Sequence, residues 1–228
     1  MANILCIDTS SQYCLVSLCY GTTQLSHQST EQRSHAKELL PIIETLLAQA
    51  SAKLSDLDAI AVVVGPGSFT GVRIGAGVAQ GLAFGANIPL IGLSSLAVMA
   101  MSAFLKEGAK QCQVALIARE NEIYGASYHL ASDYPQLVGS EFVASIERSH
   151  FPSLSAHEPI VGVGSGWLHD KTLLANSGAR AVQAIYPQID CDADALSCLA
   201  QKYFEQGLAS DPELVLPVYV KEEMEYQS

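Results

Sequence analysis

Asp58-Ala59-Ile60-Ala61-Val62-Val63-Val64 runs into Gly65-Pro66-Gly67-Ser68-Phe69-Thr70-Gly71. From there it continues as Val72-Arg73-Ile74-Gly75-Ala76-Gly77-Val78-Ala79-Gln80-Gly81-Leu82-Ala83-Phe84-Gly85 and closes with Ile88-Pro89-Leu90-Ile91-Gly92. The first part is β-branched without polar alternation, the pattern of a strand covered on both faces. The glycines then turn the chain sharply, and Ser68 or Thr70 is placed to cap a following helix. That helix carries glycines four apart, at Gly71 and Gly75 and again at Gly77, Gly81 and Gly85. Four residues make about one turn, so each set forms a smooth stripe. A helical glycine costs roughly 1 kcal/mol relative to alanine, which close approach by another backbone is expected to offset.

Working outward, Ile4–Asp8 reads as a buried strand ending in the polar turn Thr9-Ser10-Ser11. Tyr13–Tyr20 and Gln24–Thr30 read as two further strands, antiparallel and joined at Gly21-Thr22-Thr23. Ser34–Ala50 has helical spacing at Ala36, Leu39, Leu40, Ile43, Leu46, Leu47 and Ala50, with Pro41 predicting a late start or a kink. Beyond the glycine helix come a short strand at Leu90-Ile91 and a helix over Ser94–Leu105. Val114–Ala118 and Ile123–His129 form a strand pair around a tight turn at Glu120-Asn121. Glu141–Ile146 and Ile160–Val163 are weaker strands. Asp192–Gln206 is a helix stopped by Gly207, and Val215–Lys221 is extended. The order suggests two related α/β lobes, spanning 1–106 and 107–228, with the helix 192–206 packing back on the first.

The 228 residues are 49% hydrophobic and 15% charged, enough for a sizeable core. The net charge of −11, with no basic run, argues against direct nucleic-acid binding. Met1-Ala2-Asn3-Ile4-Leu5-Cys6-Ile7-Asp8 lacks a charged n-region, so no secretory signal is expected. The six cysteines form no Cys-x-x-Cys. Cys14 and Cys19 fall on opposite faces of a strand, and Cys191 and Cys198 sit two turns apart on a helix, so free thiols in a reducing cytoplasm are expected. Ile74–Leu105 contains no charged residue or histidine, long enough to span a bilayer. Its glycines, Asn87 and Pro89 cut it into soluble-type elements, so no membrane role is expected.

The glycine loop is neither a Walker A loop nor the dinucleotide fingerprint. It reads as a phosphate turn or, more commonly, as a tight turn needed for packing. Asp8-Thr9-Ser10 could hold a hydrated cation and phosphate, or could simply be turn chemistry. The candidate nucleotide-facing residues are therefore Asp8, Thr9, Ser10, Gly67 and Ser68. The six histidines show no His-x-x-x-His spacing. Neither Ser68 nor Ser165 has the frame of a serine nucleophile. Arg119, Glu120 and Glu122 read as a solvated tip, and Glu222, Glu223 and Glu225 as a solvated tail. No catalytic set emerges from these residues.

Ile7-Asp8-Thr9-Ser10, the stretch Gly65 to Gly75, and Ser34-His35 before Leu39-Leu40-Pro41 resemble the TsaB family, formerly YeaZ. Gly164-Ser165-Gly166-Trp167 and Pro217-Val218-Tyr219-Val220 extend the likeness over essentially the whole chain. Ile117 departs from the acid that many relatives carry before the Ala118-Arg119 pair. The resemblance implies an α/β fold of the two-lobed actin-like, Hsp70-like ATPase (ASKHA) type, each lobe a mixed sheet with flanking helices. It also implies kinship with TsaD, the catalytic subunit that forms threonylcarbamoyladenosine at position 37 of tRNAs. In TsaD-like proteins a His-x-x-x-His pair binds the catalytic metal. Counting on from Ile88-Pro89-Leu90-Ile91-Gly92, that pair falls on Ser95 and Met99, which are poor replacements at an iron or zinc site.

The resemblance thus implies a cytoplasmic, non-catalytic subunit without metal or cofactor. It would bind the TsaD homologue, engage the ATPase TsaE through that complex, pair with itself when alone, and make no direct contact with tRNA. The runner-up is an independent ATPase or sugar-kinase relative, which would need Gly162-Val163-Gly164-Ser165-Gly166 as its second phosphate loop. A peptidase is a third, weaker reading. The partner surface is expected on the two helices, at Leu39, Ile43 and Leu46 on the first and at Arg73, Ala76, Gly77, Gln80 and Phe84 on the second. Gly71, Gly75, Val78 and Leu82 are expected to press on the helix's own sheet.

Overall fold

Antiparallel pairing of the first three strands follows from their short turns, and parallel pairing of the next two from the helices between them. In the computed structural model, which describes residues 1–29, 35–155, 157–176 and 182–220, these form a five-stranded sheet. The expectations at Thr30, Ser34, Lys221, Glu222, Glu223 and Glu225 lie outside the described residues. Strands β1 (Ile4–Asp8), β2 (Leu15–Tyr20) and β3 (Thr23–Gln28) precede helix α1 (His35–Gln49), and β4 (Ala59–Gly65), α2 (Phe69–Ala86) and β5 (Leu90–Ser94) follow. The strand order is β3-β2-β1-β4-β5, antiparallel within the first three and parallel from β1 outward.

Every residue of β1 and β4 is buried, as their uninterrupted apolar runs require. Val16, Leu18, Ile7, Ile60 and Val62 meet α1's Leu39, Ile43 and Leu46 and α2's Ala79 and Ala83 in one core. Helix α1 continues through Pro41, and the Thr45 hydroxyl donates to the Pro41 carbonyl at 2.7 Å.

Helix α3 (Ser95–Glu107) leads to a second sheet: β6 (Gln111–Arg119), β7 (Glu122–Ala131), β8 (Tyr134–Ser145), β9 (Ile160–Val163), α4 (Asp170–Asn176) and β10 (Ala184–Tyr186). Its order, β8-β7-β6-β9-β10, repeats that of the first sheet strand for strand, and its parallel and antiparallel pairings repeat too. Its core gathers Ala115, Ile123, Phe151, Trp167 and Leu173. The fold class is the expected α/β one, with two units that each carry a mixed sheet and flanking helices.

The compact units are Met1–Ser95 with Asp192–Val218, and Leu96–Cys191 with Tyr219 and Val220. The first boundary falls at the start of α3, ahead of residue 106 where the sequence reading set it. The reason is local: the Ser102 hydroxyl donates to the Asp190 carbonyl at 3.0 Å, and Met99 lies over Gly164, so α3 is tied to the second unit. Helix α5 (Ala193–Glu205) packs on β1 and β2. There the Ser17 and Ser197 hydroxyls meet at 2.8 Å, and Gln201 bonds both backbone groups of Ala2.

Candidate functional site

Two loops meet at the carboxyl ends of β1 and β4. Asp8 is 1% exposed, and its Oδ1 accepts the Ser10 amide at 2.7 Å. Thr9 is fully buried, and its hydroxyl donates to the Gly71 carbonyl at 2.8 Å. The Ser10 carbonyl accepts the Ser68 amide at 2.7 Å, while the Ser68 hydroxyl caps α2 by accepting the Gly71 amide at 3.2 Å. A Cβ at Gly67 would lie 2.5 Å from the Ser10 carbonyl, and one at Gly71 1.9 Å from that of Thr9. At Gly75 it would lie 2.3 Å from the Thr9 hydroxyl. The structure therefore brings Asp8, Thr9, Ser10, Gly67 and Ser68 together. It also turns their polar groups onto one another, so the glycines serve close packing of turn against helix. Beside them His35 is buried and donates from Nε2 to the Ser11 carbonyl at 3.1 Å, and among the described residues its Nδ1 meets no hydrogen-bond partner.

The second unit has the corresponding loop after β9. Gly164 has φ of +97°, and a Cβ there would lie 2.6 Å from the Ala115 carbonyl. The Ser165 hydroxyl accepts the Ile117 amide at 3.1 Å. Trp167 donates to the Gln113 carbonyl at 2.9 Å, stacks on Phe151 and covers Gly162. This loop too is held against its central strand by its own side chains. The Arg119–Glu122 pair, 3.7 Å apart, sits at the exposed hairpin tip that the sequence suggested.

The outer face of α2 is open. Arg73, Gly77, Gly81, Phe84 and Gly85 are exposed, Phe84 at 82%, and among the described residues a Cβ at Gly77, Gly81 or Gly85 would meet nothing within 4 Å. Arg73 stacks over the exposed Phe69 ring at 3.4 Å. Four expectations need correction here. Ala76 is 1% exposed and belongs to the buried face with Gly71, Val72, Gly75, Ala79 and Ala83. Leu39, Ile43 and Leu46 are core residues, so the surface of α1 is made by its outer residues, among them the exposed Leu40. Val78 and Leu82 are only half-buried, at the core's margin. Gln80 is engaged: its Nε2 donates to the Pro212 carbonyl at 3.1 Å and the Val215 carbonyl at 3.0 Å. Away from these loops, a groove of about 340 Å³ opens between β3 and α1, lined by His27, Lys37, Glu38 and Ile42 among others.

Ser95 and Met99, to which the sequence resemblance assigns a metal-binding pair, serve packing. The Ser95 hydroxyl donates to the Pro66 carbonyl at 2.5 Å. Met99 is buried, and a Cβ at Gly164 would lie 2.5 Å from its methyl. These donors do not fit an iron or zinc site. Among the described residues no group of three His, Cys, Asp or Glu side chains could hold a metal ion, and no helix is long and apolar enough to cross a membrane.

Residues 25–222 match the family model described as TsaD, tRNA N6-adenosine threonylcarbamoyltransferase. The tRNA threonylcarbamoyladenosine biosynthesis protein TsaB of Escherichia coli K12 is 34% identical over 96% of this chain and 94% of its own length. The chain belongs to the TsaB family. YeaZ from Pseudomonas aeruginosa superposes with a TM-score of 0.88 at 36% identity, covering 96% of this chain and all of that one. The tRNA N6-adenosine threonylcarbamoyltransferase of Paracoccus denitrificans is 47% identical over 76 residues, a third of this chain and 21% of its own. The TsaB chain thus shares a compact, strongly similar stretch with the transferase. Two features of this TsaB fold escaped the sequence reading. One is the small-residue arc Gly75-Ala79-Ala83, whose four-residue spacing was on view. The other is the role of Pro212–Val218, which meets Gln80, Gly92 and Val64, all far away in sequence.

Proposed function

We propose that this chain is a non-catalytic subunit that binds and supports the TsaD homologue in forming N6-threonylcarbamoyladenosine at position 37 of tRNAs. The observation that carries it is the use of Ser95 and Met99 in packing, at the positions where the transferase-like relatives hold their metal. The open face of α2 supports a partner role, because a smooth exposed ridge beside Phe84 is a surface suited to burial. In the cytoplasm, TsaE would act on the resulting pair. Alone, the chain would cover the same face with a second copy. The net charge of −11 supports leaving tRNA contact to the partner.

The reading carries a measurable consequence for the isolated chain. Stoichiometric iron or zinc is expected to be absent from the purified protein, and ATP affinity weaker than micromolar, since both glycine loops turn their polar groups inward. Elemental analysis and calorimetry check this. Micromolar ATP binding lost in Asp8→Ala, or bound metal with transferase activity, would favour an independent enzyme.

A further inference from the structure

The segment after α5 is pinned to the first unit at four places. Ser210 exchanges two backbone hydrogen bonds with Leu90, at 2.9 and 3.0 Å. Gln80 of α2 donates to the carbonyls of Pro212 and Val215. The Val215 side chain is buried, and a Cβ at Gly92 would lie 3.2 Å from it. The Val218 amide donates to the Val64 carbonyl at 2.8 Å, and a Cβ at Gly65 would lie 2.8 Å from the Val218 carbonyl. Between these pins Leu214, Leu216 and Val218 are exposed at 67%, 61% and 50%. Helical geometry puts Gln80 on one flank of the ridge formed by Gly77, Gly81 and Phe84. Ile74, Val78 and Leu82 form the other flank and pack, half-buried, against the core that α1 shares.

We infer that Asp211–Val218 is a strap latched by Gln80, which fixes one side of the α2 ridge and adds Leu214 and Leu216 to the surface a partner meets. Gln80 is a positioning residue in this arrangement. Both its amide hydrogens are committed to the strap, so it acts on the partner through Leu214 and Leu216. A side-chain donor to two carbonyls from different residues holds them in one conformation, and losing it leaves both acceptors to water. The strap's role toward the TsaD homologue rests on the function proposed above; the latch itself does not.

The isosteric Gln80→Glu variant separates donation from packing, since it keeps the shape and loses the donor. Hydrogen exchange at the Val218 amide is expected to accelerate about tenfold, the worth of one to two hydrogen bonds. Affinity for the purified TsaD homologue should fall by a similar factor. Gln80→Lys, which restores a donor, should recover most of both. Leu214→Ser with Leu216→Ser should weaken the partner complex while leaving Val218 exchange unchanged. Exchange in Gln80→Glu equal to wild type would overturn the latch, and faster exchange with unaltered affinity would overturn its place in the partner surface. Failure of the wild-type chain to bind at all would instead overturn the proposed function, with Val218 exchange still deciding the latch.

Discussion

Glycines on one helix have opposite meanings here. Gly71 is needed because any Cβ would strike the Thr9 carbonyl, whereas Gly77 faces open space. Gly71→Ala should therefore destabilise by about 3 kcal/mol or more, as overpacking against backbone does. Gly77→Ala should stabilise by up to about 1 kcal/mol through helix propensity. Urea unfolding of the two variants checks both signs, and equal effects would undo the assignment of faces. The sequence displayed both stripes but not which one met Thr9, since that depends on how the turn after β1 folds back. Cys14 supplies a pH test. Burial first, with the carboxylates of Asp8 and Glu38 adding to it, pushes its thiol from 9.0 up to about 12. The folded chain thus holds this proton longer than the unfolded chain, so the stabilisation is complete below pH 9.0 and is lost as pH rises toward 12. Melting temperature should fall as pH rises above about 9, and Cys14→Ala should flatten part of that slope. An unchanged slope would remove Cys14 from the account.

Among the elements, β1, β4 and α5 could be read almost to their ends, because long apolar runs and strong caps leave little choice. Asp192, whose Oδ1 accepts the Ala195 amide at 2.9 Å, is such a cap. Helix α2 was legible as a helix but not in its rotation. Its buried arc runs through alanines, which carry little hydrophobic signal, while Val78 and Leu82, more apolar, lie at the margin. The short β10 and α4 gave no sequence signal, being three and seven residues long with mixed composition. The ridge of α2 makes its own prediction. Gly77→Leu should leave circular dichroism and melting near wild type, because the added side chain meets open space. It should abolish both self-association and the complex with the TsaD homologue, because it forces two helices apart. Light scattering and pull-down decide it; a folded variant that still binds normally would confine the glycines to internal roles.

At the scale of the whole chain, one sheet topology occurs twice, and each copy places a glycine loop at the same strand end. In both copies the loop's hydroxyl, Ser68 or Ser165, is turned inward, and Met99 and Ser95 have joined the packing around these loops. Two related lobes were legible in the order of strands and helices. The repeat itself was not, since β9 and β10 together contribute only seven residues. In the proposed role the chemistry lies with the TsaD homologue, so this chain's contribution passes through a surface. The most direct test is tRNA modification by purified TsaD and TsaE homologues, with the threonylcarbamoyl donor supplied and this chain added or omitted. No threonylcarbamoyladenosine is expected from this chain alone, product when all are present, and loss of product when the chain is omitted or carries Gly77→Leu. Equal product without the chain, or product from the chain alone, would contradict the proposed role.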